Sequence, residues 1–267
     1  MAVAAAPPPP PLRQLVKLDT DLSYYLHSLF HSYLPSSVHL VLELSADFRF
    51  SFPISLAICL SPLPSSFLPF FSSLLFGLLL DLALVGLVKV VFRRRRPPYN
   101  PQMSAVVSAD NFSFPSGHAS RVFFVSALVS LAADAIEAAL VELKAGGGFV
   151  DRWIAGDDRR FVSSLVLVVR VWAIVTAFSR VLLGRHFFFD VLAGACLGVF
   201  EGLIAYRLLR FENFFEDMSF EQYKRTFSYP TKGHMQSAIR HVIYNAIQLE
   251  LEGIVHVLLA ISERWPR

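Results

Sequence analysis

Two histidines, one carboxylate and three cations recur along this sequence at intervals suited to phosphate chemistry. They lie in three strings. The first is Lys89, six residues, then Arg96-Pro97. The second is Pro115-Ser116-Gly117-His118. The third is Ser179-Arg180, five residues, His186, three residues, Asp190. A phosphate carries up to two negative charges on three peripheral oxygens, and arginine offers planar paired donors that match them. Arg96 and Arg180 suit that task, with Lys89 as a third, point-like cation. Pro115 to His118 forms a turn into a helix, whose free N–H groups bind anions. Gly117 lets the backbone approach closely there, and Ser116 adds a hydroxyl. His186 and Asp190 are four apart, on one helix face. A carboxylate on one ring nitrogen would fix the tautomer and leave the other as a nucleophile. His118 is then free to protonate the departing oxygen. The chemistry these groups support is double displacement: His186 attacks phosphorus, and water activated by His118 hydrolyses the phosphohistidine.

Metal-dependent hydrolysis would need clustered Asp, Glu and His with open coordination. The chain has no HExxH, no repeated DxD and no GxxxxGK[ST] loop, so neither a metal site nor a cofactor is expected. Cys59 and Cys196 both fall in apolar runs and suggest no disulfide framework.

The elements that must carry these residues are apolar. Hydrophobic residues make up 54% of the 267, 25 of them phenylalanine, and the mean hydropathy is +0.51. Crossing a bilayer takes roughly 20 apolar residues, and five runs approach that length: 44–62, 67–92, 119–140, 161–183 and 187–209. The first is interrupted by Asp47, Arg49 and Pro53. Backbone groups in hydrocarbon need internal partners, so the runs are helices. The fold class is all-α, a polytopic membrane bundle of about five to six spans. Span order then gathers the three strings on one membrane face, since the second span ends, the third begins, the fourth ends and the fifth begins there.

Three segments follow. Residues 1–43 hold an Ala/Pro-rich disordered start and an amphipathic helix over 15–34, residues 44–210 the transmembrane domain, and residues 211–267 a polar tail with an interfacial helix over 238–261. A net charge of +3 is too small to signal nucleic-acid binding, and no nucleic acid is expected as a partner. The run Arg93 to Arg96 doubles as a topology signal. Among intramembrane charges, Asp81 suits a structural hydrogen-bonding role, Arg121 could support the phosphate pocket, and Arg170 would pack in the bundle or pair with an acid.

The three strings match, without gap or substitution, the signature KxxxxxxRP, PSGH and SRxxxxxHxxxD. The chain therefore resembles the type 2 phosphatidic acid phosphatase superfamily over roughly Asp81 to Tyr206. The resemblance implies that family's haloperoxidase-like helical core, with His186 as nucleophile, His118 as acid and base, and Asp190 as orienter. It places Lys89, Arg96, Ser116, Gly117 and Arg180 around the phosphate. Leu78 to Asp81, Arg93 to Pro97 and Ser179 to His186 are similar to the polyisoprenoid diphosphate phosphatases. The Ala/Pro-rich start resembles the plant lipid phosphate phosphatase beta branch of that group. The implied substrates are phosphatidate or isoprenoid diphosphates such as farnesyl and presqualene diphosphate. The implied partner is the bilayer, and the implied site is the endoplasmic reticulum, with a plastid membrane as the alternative. The rival readings are a non-catalytic lipid-phosphate-binding protein and a transporter.

Overall fold

The computed structural model describes residues 10–30, 33, 35–59, 65–99, 112–145 and 157–209. The Ala/Pro-rich start before residue 10 and the interfacial helix expected over 238–261 lie outside them. The helices are α1 (Pro10–Phe30), α2 (Ser36–Ser45), α3 (Phe48–Cys59), α4 (Leu68–Phe92), α5 (Gly117–Leu131), α6 (Ala133–Ala145), α7 (Asp158–Leu182) and α8 (Phe188–Leu208). Three of them, α4, α7 and α8, are each long and apolar enough to cross a membrane. The pair α5 and α6, bent by 67°, makes up to a fourth span. The chain is a multi-pass membrane protein.

Two expected spans take a different form. The run 44–62 divides at Ala46 and Asp47 into α2 and the 12-residue α3. Asp47 causes the break: its carboxylate accepts the Arg49 N–H at 3.0 Å and pairs with the Arg49 guanidinium, which restarts the helix. The run 119–140 bends at Ala132, between α5 and α6.

The other helix ends follow local chemistry. Helix α4 starts with Pro69 in its first turn and stops at Arg93, whose left-handed φ of 47° turns its N–H back to the Lys89 carbonyl at 2.9 Å. Ser116 caps α5, and Asp157 caps α7 through the Arg159 N–H at 3.1 Å.

The core is the crossing of α5 and α8. A Cβ built on Gly198 would lie 1.9 Å from the Ser120 carbonyl oxygen, and Gly194 and Gly202 make similar approaches to Ser116 and Ala127. Small residues at four-residue spacing let two membrane helices touch backbone to backbone. This contact sets the start of α5 against the start of α8. Deeper in the bundle, Arg121 donates to Asp81 at 2.8 Å and to the Ala46 carbonyl at 2.9 Å, and Ser120 donates to Glu201 at 3.2 Å. Asp81 thus ties α4 to α5, as a structural role requires. Arg121 is engaged with that tie, and Arg170 donates to Ser130 at 3.2 Å.

Candidate active site

The three strings meet at one end of the bundle. Residues 93–97 leave α4 and run beside residues 112–116, where Ser113 N–H donates to the Arg94 carbonyl at 2.8 Å and an antiparallel bridge pairs Arg95 with Phe112. The α7–α8 corner folds over both. Its turn closes on the Arg180 carbonyl, which accepts the N–H groups of Arg185 and His186 at 3.1 and 3.3 Å. Ser116 N–H donates to the Asp190 carbonyl at 3.0 Å, joining the start of α5 to that of α8.

His186 is 2% exposed and sits in this corner. Its Nδ1 lies 2.7 Å from the Ser113 carbonyl oxygen. A carbonyl only accepts, so Nδ1 carries the proton and Nε2 keeps the lone pair, on which it accepts Arg96 Nη1. Nε2 faces Arg96, whose Nη1 is 3.4 Å away and also donates to the Arg185 carbonyl at 3.0 Å. Burial, and then the charges of Arg96, Arg180 and Lys89, hold the His186 pKa well below its ordinary 6.5. All three expected cations therefore act on this one ring.

Lys89 and Arg180 are buried, at 6% and 2% exposure. Nε and Nη1 of Arg180 and Nε2 of His118 are buried without a hydrogen bond among the described residues. His118 lies within electrostatic reach of Arg180 and His186. Ser116 is fully buried at the cap of α5, where its hydroxyl accepts the Ala119 N–H at a long 3.5 Å, and Gly117 opens the helix. Among the described residues no group of three or more His, Cys, Asp or Glu side chains could share a metal ion.

A family model described as the PAP2 superfamily matches residues 70–214, more than half of the chain and all three strings. The chain belongs to the PAP2 superfamily. It is 52% identical over 201 residues to the "Probable lipid phosphate phosphatase beta" of Arabidopsis thaliana, covering 74% of this chain and 92% of that protein. A crystal structure of a transmembrane PAP2-type phosphatidylglycerolphosphate phosphatase from Bacillus subtilis is similar with a TM-score of 0.45. It is 22% identical, covering 78% of this chain and 89% of that one.

At this corner of the PAP2 protein one expected contact is replaced. Asp190 is fully buried, but its oxygens are engaged away from the His186 ring: Oδ2 accepts the Phe187 N–H at 2.9 Å and Oδ1 accepts Arg94 Nη1 at 2.7 Å. The ring's Nδ1 partner is the Ser113 carbonyl. At the first turn of α8 the Asp190 side chain reaches back to the helix start, where orphan N–H groups attract it more than a ring outside the helix.

Sequence reasoning also missed Glu43. From α2 it pairs with Arg185 at 2.8 Å and approaches Arg180 at 3.6 Å. No spacing links α2 to α7, so this contact lacked a signal. Arg94, expected as a topology charge that would also suit a diphosphate, has a structural role as well. It bridges Asp190 and Asp19 at 2.7 and 2.6 Å, and its guanidinium lies 4.1 Å over the Phe187 ring.

Proposed function

We propose that this PAP2 protein hydrolyses lipid phosphates through a phosphohistidine at His186. The coarser reading, a membrane phosphatase of the PAP2 family, rests on family membership and the apolar helices. The finer one is carried by a single observation: the Ser113 carbonyl holds the Nδ1–H of His186 while Nε2 faces Arg96.

In this reading the phosphate lies against Arg96, Arg180 and Lys89 and the N-terminus of α5 at Ser116 and Gly117. The Nε2 lone pair attacks phosphorus in line, the bond from phosphorus to the leaving oxygen breaks, and His118 supplies that oxygen's proton. For a monoester the leaving group is the lipid alcohol; for a diphosphate it is the lipid monophosphate. Water then gives its proton to His118 and attacks phosphorus, the P–N bond breaks, and inorganic phosphate leaves with His186 neutral again. The cations stabilise charge that grows on the peripheral oxygens in both steps.

The substrates proposed are phosphatidate and isoprenoid diphosphates such as farnesyl and presqualene diphosphate, met at the membrane surface of the endoplasmic reticulum or a plastid. A panel of farnesyl diphosphate, presqualene diphosphate, phosphatidate and lysophosphatidate in one detergent ranks them. Turnover of at least one, unaffected by EDTA, is expected. Loss in EDTA with recovery in magnesium would contradict the reading.

A further inference from the structure

Helix α1 precedes the residues matched by the family model, yet it carries a polar stripe at four-residue spacing, Asp19, Ser23 and His27. On the rest of the helix Leu15, Val16, Leu18, Tyr24 and Tyr25 are exposed. The stripe is not solvated: Asp19 is 1% and Ser23 0% exposed. All three residues bind the main chain of the α7–α8 corner. Asp19 Oδ1 accepts the Phe189 N–H at 2.9 Å, and Ser23 Oγ accepts the Phe188 N–H at 2.8 Å. His27 Nδ1 donates to the Leu182 carbonyl at 2.6 Å.

A helix leaves its first N–H groups unpaired and usually caps them from its own chain start. Phe187, which precedes α8, has no hydrogen-bonding side chain, and Asp190 satisfies only the Phe187 N–H. The next two N–H groups, of Phe188 and Phe189, are satisfied from α1. The Asp19 Oδ2 accepts Arg94, whose other nitrogen holds Asp190. The start of α8, immediately after His186, is therefore pinned by two carboxylates, a hydroxyl and one arginine.

We infer that Asp19 and Ser23 are positioning residues for the nucleophile, a cap supplied by α1 that fixes the corner carrying His186. This rests on the reading of His186 as the attacking group. Attack in line tolerates little displacement, and a shift of about 1 Å costs on the order of 10²-fold in rate. The phosphate-binding cations Lys89, Arg96 and Arg180 stand on α4, its exit and α7, so losing the cap should move the nucleophile more than the binding site.

The test uses the full chain purified in detergent, with phosphatidate and farnesyl diphosphate as probes. Asp19→Asn and Ser23→Ala should lower kcat about 10–100-fold while KM changes less than about three-fold, and Ser23→Thr, which keeps the hydroxyl, should restore kcat. Asp21→Asn, on the exposed side of the same helix, should match the parent protein. Activity is scaled to the monodisperse fraction from size-exclusion chromatography. Loss of activity only in proportion to lost folded protein, or unchanged kcat in Asp19→Asn and Ser23→Ala, would overturn the inference. His186→Ala in the same series separates the two readings. If it is inactive while the α1 variants are normal, only the positioning role fails; if it is active, the nucleophile assignment fails.

Discussion

The Nδ1–H of His186 donates to the main-chain carbonyl of Ser113, 2.7 Å away. A backbone acceptor does not titrate and survives any side-chain substitution at its own position. It fixes the tautomer that leaves the Nε2 lone pair facing Arg96, while Asp190 secures the start of α8.

Asp190→Asn therefore tests a division of labour. Removing a carboxylate that directly orients a catalytic histidine costs on the order of 10⁴-fold in kcat. Here the amide keeps one acceptor for the Phe187 N–H and loses the Arg94 pair, so a drop of roughly 10–100-fold is expected, as for a small misplacement of the attacking group. Steady-state kinetics on phosphatidate separate the two magnitudes.

The arginine run should divide just as sharply. Arg96→Ala should lower kcat by about 10²–10³-fold, the usual loss for a donor aimed at developing charge. Arg96→Lys should recover little, because the planar fork is gone. Arg93 is exposed, with Nε on the Val90 carbonyl. Arg93→Ala should stay within about two-fold of the parent, as exposed substitutions usually do. Equal losses at both positions, measured as kcat/KM, would contradict the assignment.

The depressed pKa of His186 fixes the sign of two pH effects. The buried ring stays neutral as pH falls through 6.5, so under the proposed mechanism kcat/KM should not lose His186 there. An unfolded histidine does take up a proton near 6.5, so folding stability contributed by this ring is complete above that value and declines below it. Thermal unfolding from about pH 7.5 to about pH 5.5 should cost the parent more than His186→Asn, whose amide can still donate to Ser113. Equal pH dependence in the two proteins would count against a buried neutral ring.

Much of this was legible in the sequence because each string is local. Lys89, Arg96, Ser116, Gly117, His118, Arg180 and His186 were selected by type and spacing, and the structure gathers their three strings at one end of the bundle. What was hidden is tertiary or main-chain. The Ser113 carbonyl has no side-chain signature. Glu43 reaches Arg185 across 142 residues of sequence. Asp190 looked like the partner of His186 because four-residue spacing shares a helix face, but His186 lies before α8 begins, so that spacing did not apply. The division of 44–62 was foreshadowed by Asp47 and Pro53, which were seen as interruptions but not as a boundary. The stripe of Gly194, Gly198 and Gly202 was readable at four-residue spacing and went unread.

That stripe predicts where packing is least forgiving. In Gly198→Ala the added methyl meets the Ser120 carbonyl oxygen at 1.9 Å, so α5 and α8 must part. Overpacking of this kind costs about 2–3 kcal/mol, or roughly 5–10 °C in Tm. Gly86→Ala, with nothing within 4 Å of the new methyl, should be neutral or slightly stabilising. Fluorescence-detected thermal unfolding in detergent compares the two, and equal Tm values would mean that α5 and α8 are not in backbone contact.

The most direct measurement is a rapid quench of enzyme mixed with ³²P-labelled phosphatidate or farnesyl diphosphate, labelled at the terminal phosphate. The parent protein should carry label that is stable in alkali and lost in acid, as a phosphohistidine is, and His186→Ala should carry none. Labelling that survives in His186→Ala, or parent turnover that proceeds without a labelled protein under single-turnover conditions, would contradict the account.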